Sequence, residues 1–540
     1  MQRSIFLFIC ILFSVYSCNT SENYQNKDKK IFRYNESKGI STLDPAFAKS
    51  QVLIWPANQL YNGLVQLDNQ LNIKPSIAHS WKITNQGKTY TFYLRSDVYF
   101  HDHALFKNGN GRKVVAEDFI YSLNRITDAK VASPGAWIFN NLAEDGIKTP
   151  NDTTLEINLK SPFPAFLGLL TMQYCSVVPK EIVEHFGNDF RKNPVGTGPF
   201  MFKLWKENEK LVLVRNPNYF EKDSSGSNIP YLDAISIRFI NDKQSEFLEF
   251  LKGNIDFISG LSPANKDELI TRSGKLNSKY ANRFSMIHQP YLNTEYLGFM
   301  IDSSKYADKN HPVLNKKIRQ AINYGFDRSK MMKYLRNNIG SPAFNGFIPR
   351  GLPSFSESIL YYDYNPDKVR NLLSEAGFPN GTGLQPITLT TTSDYLDLCE
   401  YIQQQLSEFG IVLKIDVITG ATFREMVANS KVEFFRGSWI ADYPDAENYL
   451  ALFYSKNFSP SGPNYTHYQN KHFDNLYTSS FKLTNDSLRN AIYQAMDKMI
   501  MEDAAVVPLF YDQIIVFVNK EIRGLESNPM NLLNLKYVKK

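Results

Sequence analysis

The chain has 540 residues, 60 lysines and arginines against 54 acids, and a formal net charge of +6. At about 100–200 residues per domain this exceeds one small module, and a 43% hydrophobic share with 21% charged residues excludes wholesale disorder. So weak a positive balance, with acids interspersed, argues against a nucleic-acid partner.

The N-terminus carries one cation, Arg3, then an apolar run over residues 5–15, then Tyr16, Ser17 and Cys18. The run is shorter than the ~20 apolar residues that span a bilayer and has the layout of a secretory signal. Val15-Tyr16-Ser17-Cys18 resembles a bacterial lipobox, loosely because Tyr16 is bulky. On that reading residues 1–17 are a signal peptide and Cys18 is the lipid-bearing first residue of the mature protein; ordinary secretion with a chance cysteine is the plain alternative. Residues 18–30 are polar and aperiodic, as a flexible tether should be. No later stretch approaches 18 uninterrupted apolar residues. Cys175 and Cys399 could pair in an oxidising compartment or stay buried thiols; sequence supplies no geometry to decide.

Strand and helix patterns then alternate throughout, which predicts an α/β protein. Residues 89–94 (TYTFYL) read as a strand, and 116–126 as a helix with Ala116, Phe119, Ile120 and Leu123 on one face. Asn365-Pro366 opens a helix carrying Val369, Leu372, Leu373 and Ala376, closed by Gly377. Residues 411–417 alternate as a half-buried strand, 448–453 suggest a short helix, and Leu488, Ile492, Ala495, Met496 and Met499 form a helical stripe. Segments 340–356, 379–386 and 459–464 read as loops.

Most chemical motifs fail. The eight histidines include no HExxH; His101-Asp102-His103 puts two imidazoles at strand spacing but offers no third ligand, so a polar turn is the better reading. Gly109-Asn110-Gly111-Arg112 matches neither nucleotide loop, there is no GxSxG, and neither Cys175 nor Cys399 has a nucleophile's context. Trp439-Ile440-Ala441-Asp442-Tyr443-Pro444-Asp445-Ala446-Glu447 gathers carboxylates that could serve a hydrolase. Pro444-Asp445 ahead of a helix fits capping better.

Taken in order, a set of segments is specific. It comprises Leu43-Asp44-Pro45, QLYNGL at 59–64, Ser80-Trp81, Tyr90-Thr91-Phe92 with Leu94-Arg95, residues 98–102, and Ala116-Glu117-Asp118-Phe119. It continues with Val195-Gly196-Thr197-Gly198-Pro199-Phe200, Asn216-Pro217-Asn218-Tyr219, VLNKKIRQAINYGFD at 313–327, Tyr364-Asn365-Pro366, residues 439–445 and Val507-Pro508-Leu509. This collinear set resembles the extracytoplasmic solute-binding proteins of ABC importers, in the family of oligopeptide-, dipeptide- and nickel-binding receptors.

The resemblance implies an α/β, two-lobed periplasmic-binding-protein clamshell of the class II type, discontinuous in sequence, with an additional inserted domain. Lobe I takes 31–60, 187–288 and 506–540, the inserted domain 61–186, and lobe II 289–505, with hinge crossings near 288–291 and 504–507. It also implies site residues. Asp442 falls on the acid that meets a peptide's ammonium, and Arg436 on an arginine that helps to meet its carboxylate. Gly437, Ser438 and Trp439 resemble a strand edge that pairs with ligand backbone, and Lys49, Ser50 and Gln51 are the matching stretch on the other lobe. The bland readings are a turn residue for Asp442, a structural ion pair with an acid such as Glu433 for Arg436, and a core indole for Trp439. His103 departs from the family's usual glycine, and an insertion-like stretch at 104–113 follows it.

The implied function is a lipid-anchored, monomeric, extracytoplasmic receptor, on the periplasmic side or the outer-membrane leaflet in a double-membrane bacterium. It captures short peptides and delivers them to an ABC permease with its ATPase subunits, without catalysis, cofactor, metal or nucleic acid. Other solutes (a sugar, a nickel or haem complex), a sensing role, and least of all a hydrolase using Asp442 and Asp445, are the alternatives.

Overall fold

The computed structural model describes residues 29–260, 263–483 and 485–540. The signal peptide, Cys18 and most of the expected tether lie outside the described residues.

One eleven-stranded sheet organises the molecule. From edge to edge it runs Leu413–Val417, Ile387–Thr391, Phe434–Ile440, Phe284–Phe299, Val506–Asn519, Phe257–Ser259, Ile31–Asn35, Ala234–Arg238, Lys210–Arg215 and Phe200–Lys206, with Ser341–Pro342 paired to the side of Val506–Asn519. The two longest strands, Phe284–Phe299 and Val506–Asn519, lie antiparallel in the middle and pass from one lobe into the other.

Their register slips between Pro290 and Thr294, where Tyr291, Leu292 and Asn293 stand against Asp512. Extra residues on one strand bend it, and Pro290 has no N–H to hold the ladder straight. The cores separate at the same point. Ile514, Val516 and Val518 pack with Phe32, Tyr34 and Phe200, whereas Val507, Leu509 and Phe510 pack with Phe299, Ile322 and Leu389. The second crossing therefore falls at Asp512, and 506–511, assigned to the first lobe from sequence, pack in the second. An apolar strand start suits either core, so its sequence alone could not say which.

The inserted region forms its own four-stranded sheet, ordered Ala78–Thr84, Thr89–Leu94, Thr154–Leu159 and Leu142–Asn151. TYTFYL alternates half-buried and buried residues as its period demands. Helix Ala116–Thr127 lies against this sheet, with the Asp118 carboxylate accepting from Val115 N–H at 2.9 Å. Phe92 and Phe119 share one continuous core with Phe32 and Phe200. The helix from Pro366 to Glu375 starts as its sequence indicates, with Asn365 Oδ1 accepting from Lys368 N–H at 3.1 Å. Gly377, at φ +88°, follows its end. Cys175 and Cys399 are buried free thiols in separate cores.

The Gly196-Thr197-Gly198 turn shows why glycine is needed there. A Cβ on Gly198 would lie 2.4 Å from the Gln59 carbonyl oxygen, and one on Gly196 2.1 Å from that of Leu60. His101 clamps the turn: its Nδ1 accepts from Gly196 N–H at 3.3 Å, so its Nε2–H donates to the Gly198 carbonyl at 2.9 Å. Burial pushes this imidazole down to about 4, against a smaller opposing effect of the Gly198 bond. With both nitrogens engaged by backbone, His101 acts as a turn clamp. Gly198→Ala is expected to destabilise the first lobe by at least the ~1–3 kcal/mol of ordinary overpacking, read as a lower denaturant midpoint; an unchanged midpoint would mean the backbone yields freely.

Candidate functional site

The site is built on the strand Phe434–Ile440. Ala441 N–H donates to the Leu292 carbonyl at 2.9 Å and Met300 N–H to that of Glu433 at 2.8 Å. Odd-numbered residues here thus bond to the long strand, and in an antiparallel ladder the even ones turn their amides to the opposite edge. The neighbour on that edge, Ile387–Thr391, covers only Phe434 and Phe435. The N–H and C=O of Ser438 therefore face an uncovered strand edge.

The same alternation sorts the side chains. Leu297, Glu295 and Asn293 stand opposite Arg436, Ser438 and Ile440, so these share one face with the position of Asp442. Gly437 and Trp439 point the other way. A Cβ on Gly437 would lie 2.5 Å from the Tyr296 ring, and Trp439 packs on the second lobe's core. Its Nε1–H donates to Asn448 Oδ1 at 2.9 Å, and that oxygen also accepts from Asp442 N–H at 3.2 Å. The indole thus props the loop bearing Asp442. Ile440, 49% exposed, is the apolar side chain on the open face.

Asp442 is solvent-exposed, and among the described residues no cation pairs with it. It is nevertheless walled by protein, and that desolvation holds its carboxyl above the usual range, partly offset by Asn448. Tyr174 of the inserted region is pushed up to about 12 by burial and then by the Asp442 charge. Asp442 therefore lies toward the inserted region, with its charge unmatched among the described residues.

Arg436 is differently placed. Its guanidinium lies 3.2 Å over the Tyr395 ring and pairs with the buried Glu295 carboxylate. Burial raises the Glu295 carboxyl while Arg436 pulls it back. Glu433, the neighbouring acid suggested from sequence, is instead bonded by His311 at 3.0 Å and by Thr388 N–H. Arg436 keeps one buried N–H, at Nε, without a partner. Asn293 donates to Glu295 at 3.1 Å and to Asp512 at 3.4 Å, tying this cluster to the hinge.

A cavity of about 420 Å³ lies between the lobes, lined by Ser259 and Asn531 from one side, Arg336 and Asp394 from the other, and Tyr291 and Asp512 at the hinge. Gln51 reaches its rim, donating to the Asn531 carbonyl at 3.2 Å. Ser50 precedes the helix Gln51–Leu60 as its N-cap residue. Lys49 lies elsewhere, on a larger groove of about 1320 Å³ between the first lobe and the helix Ala116–Thr127. That groove shares no lining residue with the interlobe cavity and contains the ion pairs Arg125–Asp44 at 2.5 Å and Arg112–Asp118 at 2.6 Å. Among the described residues, no hydrogen bond or ion pair joins Lys49, Ser50 or Gln51 to the 436–442 strand and loop.

Glu295, Asn293, Tyr395, Asp512 and Ile440 were missed from sequence. One signal was present: Asn293-Thr294-Glu295 is a polar triplet flanked by Tyr291-Leu292 and Tyr296-Leu297.

Two hydrolytic arrangements fail on geometry. Asp445 accepts from Glu447 N–H at 2.9 Å and pairs with Arg489 at 3.4 Å, which makes it the turn and capping group that Pro444-Asp445 suggested. A Ser430–His467–Asp302 array has serine-protease spacing, with His467 Nε2 3.0 Å from Ser430 Oγ and Nδ1 3.0 Å from Asp302. Nε2 also lies 3.0 Å from the Ser459 carbonyl, to which only an N–H can donate. The nitrogen that should accept the serine proton is already a donor.

Glu447 is buried between the hydroxyls of Tyr443 and Tyr477. Burial pushes its carboxyl up to about 7, against the pull of both tyrosines. The folded form then binds more protons than the unfolded between pH ~4.5 and ~7, so this group's stabilisation is present below that window and is lost on rising through it. Glu447→Gln is expected to remove up to ~3 kcal/mol of that decline. Thermal unfolding of both proteins at pH 5 and pH 8 reads the difference; parallel pH profiles would refute it.

Two lobes joined by paired strands, with a polar site at the join and an uncovered strand edge, define a binding protein of the clamshell class. The model of bacterial extracellular solute-binding proteins, family 5, middle region, matches residues 72–461, and the chain belongs to that family. It is 25% identical over 496 residues to the glutathione-binding protein GsiB of Salmonella typhi, covering 91% of this chain and 90% of that one. It is 26% identical over 554 residues to the probable D,D-dipeptide-binding periplasmic protein DdpA of Escherichia coli, covering 98% of each. Among solved structures, DppA from Helicobacter pylori in complex with the peptide STSA superposes with a TM-score of 0.73 at 25% identity, over 94% of this chain and 98% of that one. The unliganded open form of the murein tripeptide-binding protein MppA superposes at 0.79 with 23% identity, over 95% and 98%.

Proposed function

We propose that the protein binds short peptides between its lobes and delivers them to an ABC importer, anchored through a lipid on Cys18. The observation that carries the reading is Asp442, an unpaired carboxylate on the same face as the uncovered edge at Ser438. An α-ammonium and a backbone amide are what every peptide offers to those two groups, and strand-edge pairing takes a backbone without reading side chains. The names of GsiB, DdpA and the peptide-bound DppA support the same substrate class.

In this reading the first lobe comprises 31–60, 187–288 and about 512–540, the inserted domain 61–186, and the second lobe 289–511, acting as a monomer. Arg436, already paired with Glu295 through Nη2, contributes donors that this pair leaves free, and Gln51 approaches from the first lobe through Asn531. Closure around the ligand presents the form that the permease accepts.

Native mass spectrometry of the protein isolated from its host tests the substrate. A set of released masses resolving into mixed short peptides is expected; a single non-peptide mass would overturn the substrate while leaving the family intact. Cys18→Ala is expected to move the protein from the membrane to the soluble fraction, and retention on the membrane would refute the anchor.

A further inference from the structure

A second cavity, of about 480 Å³, lies where the inserted region meets the second lobe. Its volume is within the range of small-molecule sites. Leu71, Ile83, Phe163 and Leu167 wall one side, and Phe481 and Leu483 the other. The two sides are in contact around it: the Phe163 and Phe481 rings meet edge to face at 5.5 Å, and a Cβ on Gly168 would lie 3.7 Å from Pro444.

One cation lines this apolar space. Arg489 pairs with Asp445 at 3.4 Å and with Asp486 at 3.0 Å, its side chain 13% exposed. Two carboxylates already match its charge, so a ligand anion would meet net repulsion. A ligand ammonium would have to lose its water against aliphatic walls. Both pairs run from Nη2, and the Arg489 Nε–H is buried without an acceptor among the described residues. A buried unmet donor is costly and is satisfied by one neutral acceptor.

We propose that this seam is a second ligand site, for an uncharged apolar molecule carrying one carbonyl acceptor, such as a medium-chain acyl amide. It shares no lining residue with the cavity at the hinge, and neither Asp442 nor Ser438 lines it. The walls come from both sides of the seam, so a molecule bound there favours the lobe arrangement that forms it.

The test uses the mature protein and decanamide, with decanoate and decylamine as charged analogues, followed by titration calorimetry. Decanamide is expected to bind saturably at one site, with each analogue weaker. Ile83→Asp changes a residue 47% exposed, so the fold should tolerate it, and it is expected to weaken decanamide about tenfold or more by placing a charge on the apolar wall. Arg489→Met is expected to weaken it also, by removing the donor. Asp442→Asn should leave it unchanged. No saturable binding of decanamide, equal binding by Ile83→Asp, or a loss in Asp442→Asn as large as that in Ile83→Asp would each overturn the proposal.

Discussion

Asp442→Asn is expected to weaken peptide binding by about ten- to a hundredfold while leaving thermal stability nearly unchanged. The two halves have separate causes. Asp442 is exposed and among the described residues no cation pairs with it, so the fold does not depend on its charge; its backbone N–H keeps the bond to Asn448 in either residue. The ligand's ammonium, however, loses a charge-assisted partner, a difference of ~1.5–3 kcal/mol. Removing the charge also relieves the desolvation that holds the carboxyl above its usual range, so asparagine should slightly stabilise the empty protein. Calorimetric titration with a peptide identified by mass spectrometry, and with its N-acetylated form, reads the effect. Acetylation should weaken the wild type and have little further effect on the variant. Equal losses on acetylation in both proteins would place the ammonium elsewhere.

How much of this could be read beforehand divides along the range of the interactions. Local features were legible: TYTFYL alternates at strand period, and Asn365-Pro366 with Gly377 encodes both ends of its helix. In each case the deciding contacts are within a few residues. The Asp442 loop was legible because its acid, its proline and its tryptophan are adjacent in sequence.

Partners across the sheet were not. Arg436 pairs with Glu295, 141 positions away, because the Phe434–Ile440 strand lies beside Phe284–Phe299 in a particular register. A shift of one residue would have turned Arg436 into the core and Trp439 into the cleft. The sequence reading left Trp439 between the ligand edge and a core indole for want of that register. The change of core along Val506–Asn519 was not legible for a similar reason: the bulge opposite Asp512 is a property of two strands together. Lys49 fell in a stretch aligned by distance from Asp44, and the helix starting at Gln51 turns it toward the outer groove.

The Glu295–Arg436 pair gives the other large expected effect, and stability and binding should move in opposite directions. Glu295 is almost fully buried and Arg436 nearly so. Glu295→Gln leaves a guanidinium in the interior with only the Tyr395 face to balance it, and breaking a buried pair from one side destabilises by ~3–5 kcal/mol. The double substitution Glu295→Gln with Arg436→Gln should recover most of that loss, since neither charge is then left alone. Binding should respond to the freed cation. With Glu295 neutral, Arg436 can turn its field on a peptide carboxylate, and a unit charge roughly 8 Å away contributes ~2 kcal/mol at an effective dielectric of about 20. Glu295→Gln should therefore bind peptides with a free C-terminus more tightly relative to their C-terminal amides, by about thirtyfold. Denaturant unfolding gives the first quantity, and paired titrations with acid and amide peptides give the second. An unchanged preference between acid and amide would show that Arg436 acts on the fold alone, holding the second lobe's strands to the hinge through Glu295, Asn293 and Asp512.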